Sequence, residues 1–175
     1  MFISSYDSKF GKMFLVSNGT NLVGLYFEHQ KYFPSKILKY EENSNLEIFK
    51  NTKLWLDEYF AGKVPNINLQ LTFVGTTFQK QVWKILQTIP YGQIVSYGEI
   101  ASIIAKNQNK NRMSAQAVGS AVSKNPISII VPCHRVVGKT GELTGYAGGI
   151  DKKIGLLKIE GHKIDLENLK IEKTH

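Results

Sequence analysis

Two periods of apolar and polar residues alternate along this 175-residue chain, and the change from one to the other divides it. From Phe2 to Glu28 the chain is aromatic and β-branched. Turn signals stand at Phe10-Gly11-Lys12 and at Asn18-Gly19, the latter between Lys12–Ser17 and Leu22–Phe27. Asn-Gly between two apolar runs marks a hairpin, so a small antiparallel sheet is predicted. Ser44-Asn45-Leu46-Glu47 then reads as a capping box, with Leu46, Phe49, Lys53, Leu56 and Phe60 at helical spacing until Gly62. This predicts an amphipathic helix on the sheet. A Pro-containing connection and the apolar segment Ile67 to Val74 close the region.

Beyond Val74 the period is helical. Thr76-Thr77-Phe78-Gln79 is a second capping box, opening a helix through Val82, Trp83, Ile85 and Leu86 that ends before Pro90. Tyr91-Gly92 turns the chain, and Ser96-Tyr97-Gly98-Glu99 opens a third helix through Ile100, Ile103 and Ile104. After the polar stretch Lys106 to Met113, Ser114 can cap a helix of small residues from Ala115 to Val122. Two short helices with a polar connection suggest a helix-turn-helix with a long turn. The small residues fit a packed helix neighbour as well as a DNA groove. The expected fold is α/β (α+β): a sheet-and-helix domain over 1–74 and a mainly helical domain over 75–175. The length supports one sizeable core or two small ones.

Lys plus Arg outnumber Asp plus Glu by 22 to 14, giving a formal charge of +8. Such an excess suits a nucleic-acid partner but equally a lysine-rich solvated face, and Lys158 to Lys173 reads as such a face or a loose tail. A single cysteine excludes an internal disulfide framework, and no Cys/His spacing suits zinc, so neither metal nor cofactor is expected. The first residues lack a signal-peptide pattern, and no run of about 18 apolar residues occurs. A soluble, untargeted monomer is expected, in the cytoplasm and at the nucleoid in a bacterium, with no membrane partner.

That one cysteine, Cys133, ends the apolar run Asn125-Pro126-Ile127-Ser128-Ile129-Ile130-Val131-Pro132, and His134, Arg135 and Val136 follow it. A lone thiol is most often inert and buried, but a histidine at its side makes it a candidate nucleophile. Around it lie Val95-Ser96-Tyr97, Ala117-Val118-Gly119, Asn125-Pro126, Gly145-Tyr146-Ala147-Gly148-Gly149, and Leu156-Leu157 followed by Glu160-Gly161. From about Phe78 to His162 this ordered set resembles the O6-alkylguanine-DNA alkyltransferases. The first half resembles them only in general layout.

The resemblance implies direct repair of O6-alkylguanine in double-stranded DNA by single, irreversible transfer of the alkyl group to Cys133. It assigns His134 to take the thiol proton through a bound water, with Glu160 orienting the imidazole. Tyr97 would protonate the departing guanine, and Asn125 would be the hinge between recognition helix and site loop. The base would be held by the Ala147 N–H and by the Cys133 and Val136 carbonyls, within a loop that includes Tyr146 and Gly148. In the family the second helix enters the minor groove, which places Ala117, Gly119 and Ser120 close to DNA and Val122 near the space left by a flipped base. Arg112 and Arg135 are further candidates for contact with DNA.

One position departs from the family. Gln116 stands where an arginine commonly precedes Ala-Val-Gly, which removes a charge and a planar stacking surface. Two other classes stay open: a hydrolase working through Cys133, His134 and Glu160, and a damage-binding protein that keeps the helices and pocket but performs no chemistry and needs no thiol. The preferred alkyl group and action on O4-alkylthymine stay open.

Overall fold

The computed structural model describes residues 1–172 and separates into two units, Met1–Val74 with Pro126–Ser128, and Gly75–Asn125 with Ile129 onward. The second segment is therefore not continuous: three of its residues belong to the first unit.

In the first unit, β1 (Phe2–Ser8), β2 (Gly11–Ser17), β3 (Leu22–Phe27) and the short β4 (Glu41–Glu42) form one sheet in the order β3-β2-β1-β4. β1, β2 and β3 are antiparallel, and β4 runs parallel to β1. The β2–β3 connection is built on Asn18, whose Oδ1 accepts the amides of Thr20 at 3.1 Å and Asn21 at 2.8 Å, while Gly19 takes a φ of 111°. A side-chain acceptor aimed at its own following amides is what favours asparagine at a turn. The exposed edge of β3 is closed by single bridges to Leu71 and to Ile127. The segments around Ile67 to Val74 and Pro126 to Ser128 thus cover an edge that would otherwise offer unpaired backbone groups.

Helix α1 (Glu47–Phe60) starts differently from the expectation. Leu46 is the N-cap and no side chain caps it, because the Ser44 hydroxyl bonds that of Ser4 at 3.0 Å instead. Its buried face is Ile48, Phe49, Thr52, Leu56 and Tyr59, with Lys53 and Phe60 only half-buried. Each large apolar side chain removed from water contributes about 1.5–3 kcal/mol, so this face holds the helix where a cap does not.

The second unit contains α2 (Thr77–Leu86), the two-residue β5 (Val95–Ser96), α3 (Tyr97–Asn107), α4 (Ala115–Ser123), β6 (Val136–Val137), α5 (Ile150–Ile159), and the hairpin of β7 (Ile164–Asp165) and β8 (Lys170–Ile171). Both predicted boxes form: the Thr76 and Ser96 hydroxyls each accept an N3 amide at 3.2 Å, and Gln79 and Glu99 reach back to the cap amides. Ser114 caps α4 through the Ala117 amide. The indole of Trp83 donates to the Ala121 carbonyl at 2.9 Å, joining α2 to α4 within the core. Gly75 precedes α2 because a Cβ there would lie 2.6 Å from the Trp83 ring.

Beyond the end of α5, β7 and β8 pair as a hairpin, with Ile164 buried against Val137, Leu143 and Leu157. Lys158 and Lys163 are exposed, and Lys173 lies outside the described residues.

Candidate active site

The nucleophile candidate follows a turn over residues 128–130. Ile129, fully buried, has a φ of 68°, a left-handed conformation strained for a β-branched side chain. Cys133–Arg135 then make one 3-10 turn, with the Arg135 amide on the Pro132 carbonyl at 3.0 Å and the Val136 amide on that of Cys133. Cys133 is 5 % exposed. Asn125, just beyond the end of α4, donates from Nδ2 to the Val131 carbonyl at 2.8 Å and to Cys133 Sγ at 3.1 Å. One amide thus fixes both the run and the sulfur.

Behind the sulfur lies a buried charged group. His134 Nε2 is 2.6 Å from Glu160 Oε1, and both side chains are wholly inaccessible. Glu160, at the end of α5, also accepts the Arg135 Nε at 2.9 Å, its Nη2 at 3.0 Å and the Gly92 amide at 3.0 Å. Burial would raise its pKa, but the hydrogen bonds and charges of His134 and Arg135 hold it well below the usual carboxylate range. An ionised carboxylate only accepts, so Nε2 carries the hydrogen and the basic nitrogen of neutral His134 is Nδ1. Burial pulls the imidazole pKa down against the pull of Glu160. Burial also pushes the Cys133 thiol up, offset in part by Asn125, Lys153 and Tyr146. Sulfur and imidazole therefore rest neutral together.

Arg135, a candidate for contact with DNA, is instead engaged within the protein. Its guanidinium is buried against Glu160, donates from Nη1 to the Ile89 carbonyl at 2.5 Å and lies over the Tyr91 ring. Val122, expected near the space left by a flipped base, is likewise buried. It follows Val118 and Ala121 into the core and is 5 % exposed. Among the other groove candidates, Gln116, Ser120 and Arg112 are exposed, while Ala117 and Gly119 are half-buried.

Tyr97 opens α3 and is half-buried, with Gly119 of α4 beside its ring: a Cβ on Gly119 would lie 3.7 Å away. Its hydroxyl accepts from Thr144 Oγ1 at 3.2 Å. The loop from Gly145 to Gly149 holds Tyr146, Ala147 and Gly148 half-buried, and it closes with the Gly149 amide on the Tyr146 carbonyl at 2.9 Å. The Val136 carbonyl accepts from Lys153 Nζ at 2.6 Å and the Cys133 carbonyl from the Val136 amide.

Sequence reasoning missed Lys153 and Thr144. Lys153 is fully buried on α5, and burial drops its pKa to about 8. Its signal was a lysine at helical spacing from Ile150 and Leu157, on the face that packs inward. Among the described residues no group of three His, Cys, Asp or Glu side chains is placed to hold a metal, and no helix is long and apolar enough to cross a membrane.

Residues 77–162 match the family model for the DNA binding domain of 6-O-methylguanine DNA methyltransferase, and residues 1–73 match that for its ribonuclease-like domain. A methylated-DNA-protein-cysteine methyltransferase of Mycobacterium leprae is 43% identical over 91% of this chain and 92% of its own length. The chain belongs to the 6-O-methylguanine DNA methyltransferase family. Another family member, from Haemophilus influenzae, is 37% identical over 91% of this chain and 86% of its own length. The crystal structure of Mycobacterium tuberculosis OGT in complex with DNA superposes with a TM-score of 0.82 at 41% identity, covering 92% of this chain and 93% of that one.

Proposed function

We propose that this protein repairs O6-alkylguanine in double-stranded DNA by moving the alkyl group once, and irreversibly, to Cys133. The observation that carries this reading is the setting of the chain's one cysteine: Sγ held by Asn125, next to a histidine whose Nε2 is tied to an ionised carboxylate. An ordinary thiol is only about 3% ionised at neutral pH, and burial lowers that fraction further, so a base must act as substrate arrives. His134 takes the proton by way of a bridging water, and Glu160 stabilises the imidazolium.

The target atom is unreachable inside a duplex. The base is therefore flipped out, at a cost of a few kcal/mol, while α4 lies in the minor groove with Gln116, Ala117, Gly119 and Ser120 toward the DNA. Arg112, exposed in the loop before α4, meets phosphate in this reading. The Ala147 amide and the carbonyls of Cys133 and Val136 hold the guanine edge. As the Sγ–carbon bond forms and the carbon–O6 bond breaks, the thiol proton passes to His134 and the Tyr97 phenol proton to the departing purine. Imidazolium and phenolate then return to neutrality by exchanging protons with solvent. The thioether left on Cys133 has no carbonyl for water to attack, so the protein does not turn over.

Intact-protein mass after exposure to duplex DNA carrying O6-methylguanine tests this. One methyl group gained per molecule, located on Cys133 and absent from Cys133→Ser, is expected. Several lesions repaired per molecule with Cys133 recovered unmodified would overturn the reading in favour of hydrolysis.

A further inference from the structure

Thr144 stands between the two residues of this site that a sequence reading does not connect. Its carbonyl accepts from Lys153 Nζ at 3.1 Å, and its hydroxyl donates to the Tyr97 oxygen at 3.2 Å. The same ammonium holds the Val136 carbonyl at 2.6 Å. Lys153 is fully buried, and its bonds shown here run to two carbonyls rather than to a carboxylate. A buried charge without an anionic partner is costly, so its position calls for an explanation beyond packing.

We propose that Thr144, anchored by Lys153, is a positioning residue for Tyr97, fixing the phenol so that its own O–H points away from Thr144 and toward the flipped base. This rests on the reading of Tyr97 as proton donor to the leaving purine. The mechanism is directional. A phenol oxygen that accepts from a neighbour keeps its single hydrogen for another acceptor, and the phenolic O–H prefers the ring plane, so the neighbour selects one of two orientations. Lys153 supplies the rigidity: it ties the loop bearing Thr144 to Val136. The Thr144 hydrogen bond also draws the Tyr97 pKa down against the upward push of burial, which makes the phenol a better acid.

Single-turnover transfer from O6-methylguanine in duplex DNA tests this in Thr144→Val, Thr144→Ser, Tyr97→Phe and the Thr144→Val/Tyr97→Phe pair. Thr144 is exposed, so neither of its variants opens a core cavity. Thr144→Val is expected to slow transfer about three- to tenfold, the worth of one hydrogen bond, at unchanged DNA affinity, and Thr144→Ser is expected to restore the rate. In the Tyr97→Phe background, Thr144→Val is expected to change nothing. Equal slowing in both backgrounds, or no slowing in either, overturns the proposal while leaving Tyr97 as donor. A Tyr97→Phe protein as fast as its parent instead removes the donor reading and this inference together. Lys153→Met is expected to slow transfer at least as much as Thr144→Val, and transfer at the parental rate would remove the anchor.

Discussion

The floor beneath Cys133 and the exposed face of α4 are built on opposite plans. On the floor, His134, Arg135, Glu160 and Lys153 are buried, and each is tied by at least one hydrogen bond of 3.2 Å or less. On α4 the outward residues Gln116 and Ser120 are exposed and uncharged, and Gly119 offers only backbone. The floor confines its charges to one arrangement, as proton transfer between neutral groups requires. The α4 face leaves its atoms to be ordered by whatever it meets. A basic residue therefore means different things in the two places: Arg135 is part of the floor, whereas Arg112 belongs with the surface.

The largest effect expected from that contrast is on stability. Arg135→Ala removes one partner of a buried pair and leaves Glu160 under-compensated, which should cost about 3–5 kcal/mol in chemical denaturation. Arg112→Ala should change stability by less than about 0.5 kcal/mol but weaken DNA binding and reduce its salt slope by about one. An Arg135→Ala protein of parental stability, or an Arg112→Ala protein with unchanged salt dependence, would erase the distinction.

Next in size is catalysis. Glu160→Gln keeps the shape of the floor but removes the charge that stabilises protonated His134, so alkyl transfer should slow by about a hundredfold while DNA affinity stays nearly constant. Rates compared at equal DNA occupancy decide this. Equal rates would take Glu160 out of the relay.

Lys153 gives the floor a pH signature. Its pKa falls from 10.5 to about 8 on folding, so between those values the folded protein has released a proton that the unfolded chain still holds. Stability must then rise with pH across that window, by up to about 3 kcal/mol, and be flat with respect to this group on either side. Measured in a Cys133→Ser background, where the thiol no longer titrates nearby, this rise should be absent from Lys153→Met. Identical pH profiles for the two would show that Lys153 is not charged and desolvated as described.

Local signals were legible in the sequence because their partners lie within three residues. Thr76, Ser96 and Ser114 cap their helices as the pattern requires. Ser44 presents a similar pattern and fails, since Ser4, forty positions away, takes its hydroxyl. The direction of a charge was not legible. Arg135 beside a nucleophile reads as a hand for DNA until Glu160 and the Ile89 carbonyl are seen around it. The burial of Val122 was legible, since its spacing from Val118 assigns it to the inner face. The strained turn at Ile129 had no signal, because nothing in a β-branched residue announces a positive φ.

The smallest predicted effect probes the α4 face itself. Gln116 is exposed on the first turn of α4, where a longer cationic side chain meets no packing constraint, so Gln116→Arg should fold normally. If the face is ordered only by DNA, one added charge should tighten duplex binding and steepen its salt dependence by at most about one phosphate-equivalent. The planar guanidinium can also stack in the space a flipped base leaves, which glutamine does poorly. Repair of duplex lesions should then quicken modestly, whereas reaction with free O6-alkylguanine, which needs no flipping, should not. The ratio of the two rates is the decisive quantity because it cancels any change at Cys133. A rise in that ratio locates the effect on DNA, and an equal gain on both substrates would mean that a residue on the α4 face alters the floor, ending the separation between the two.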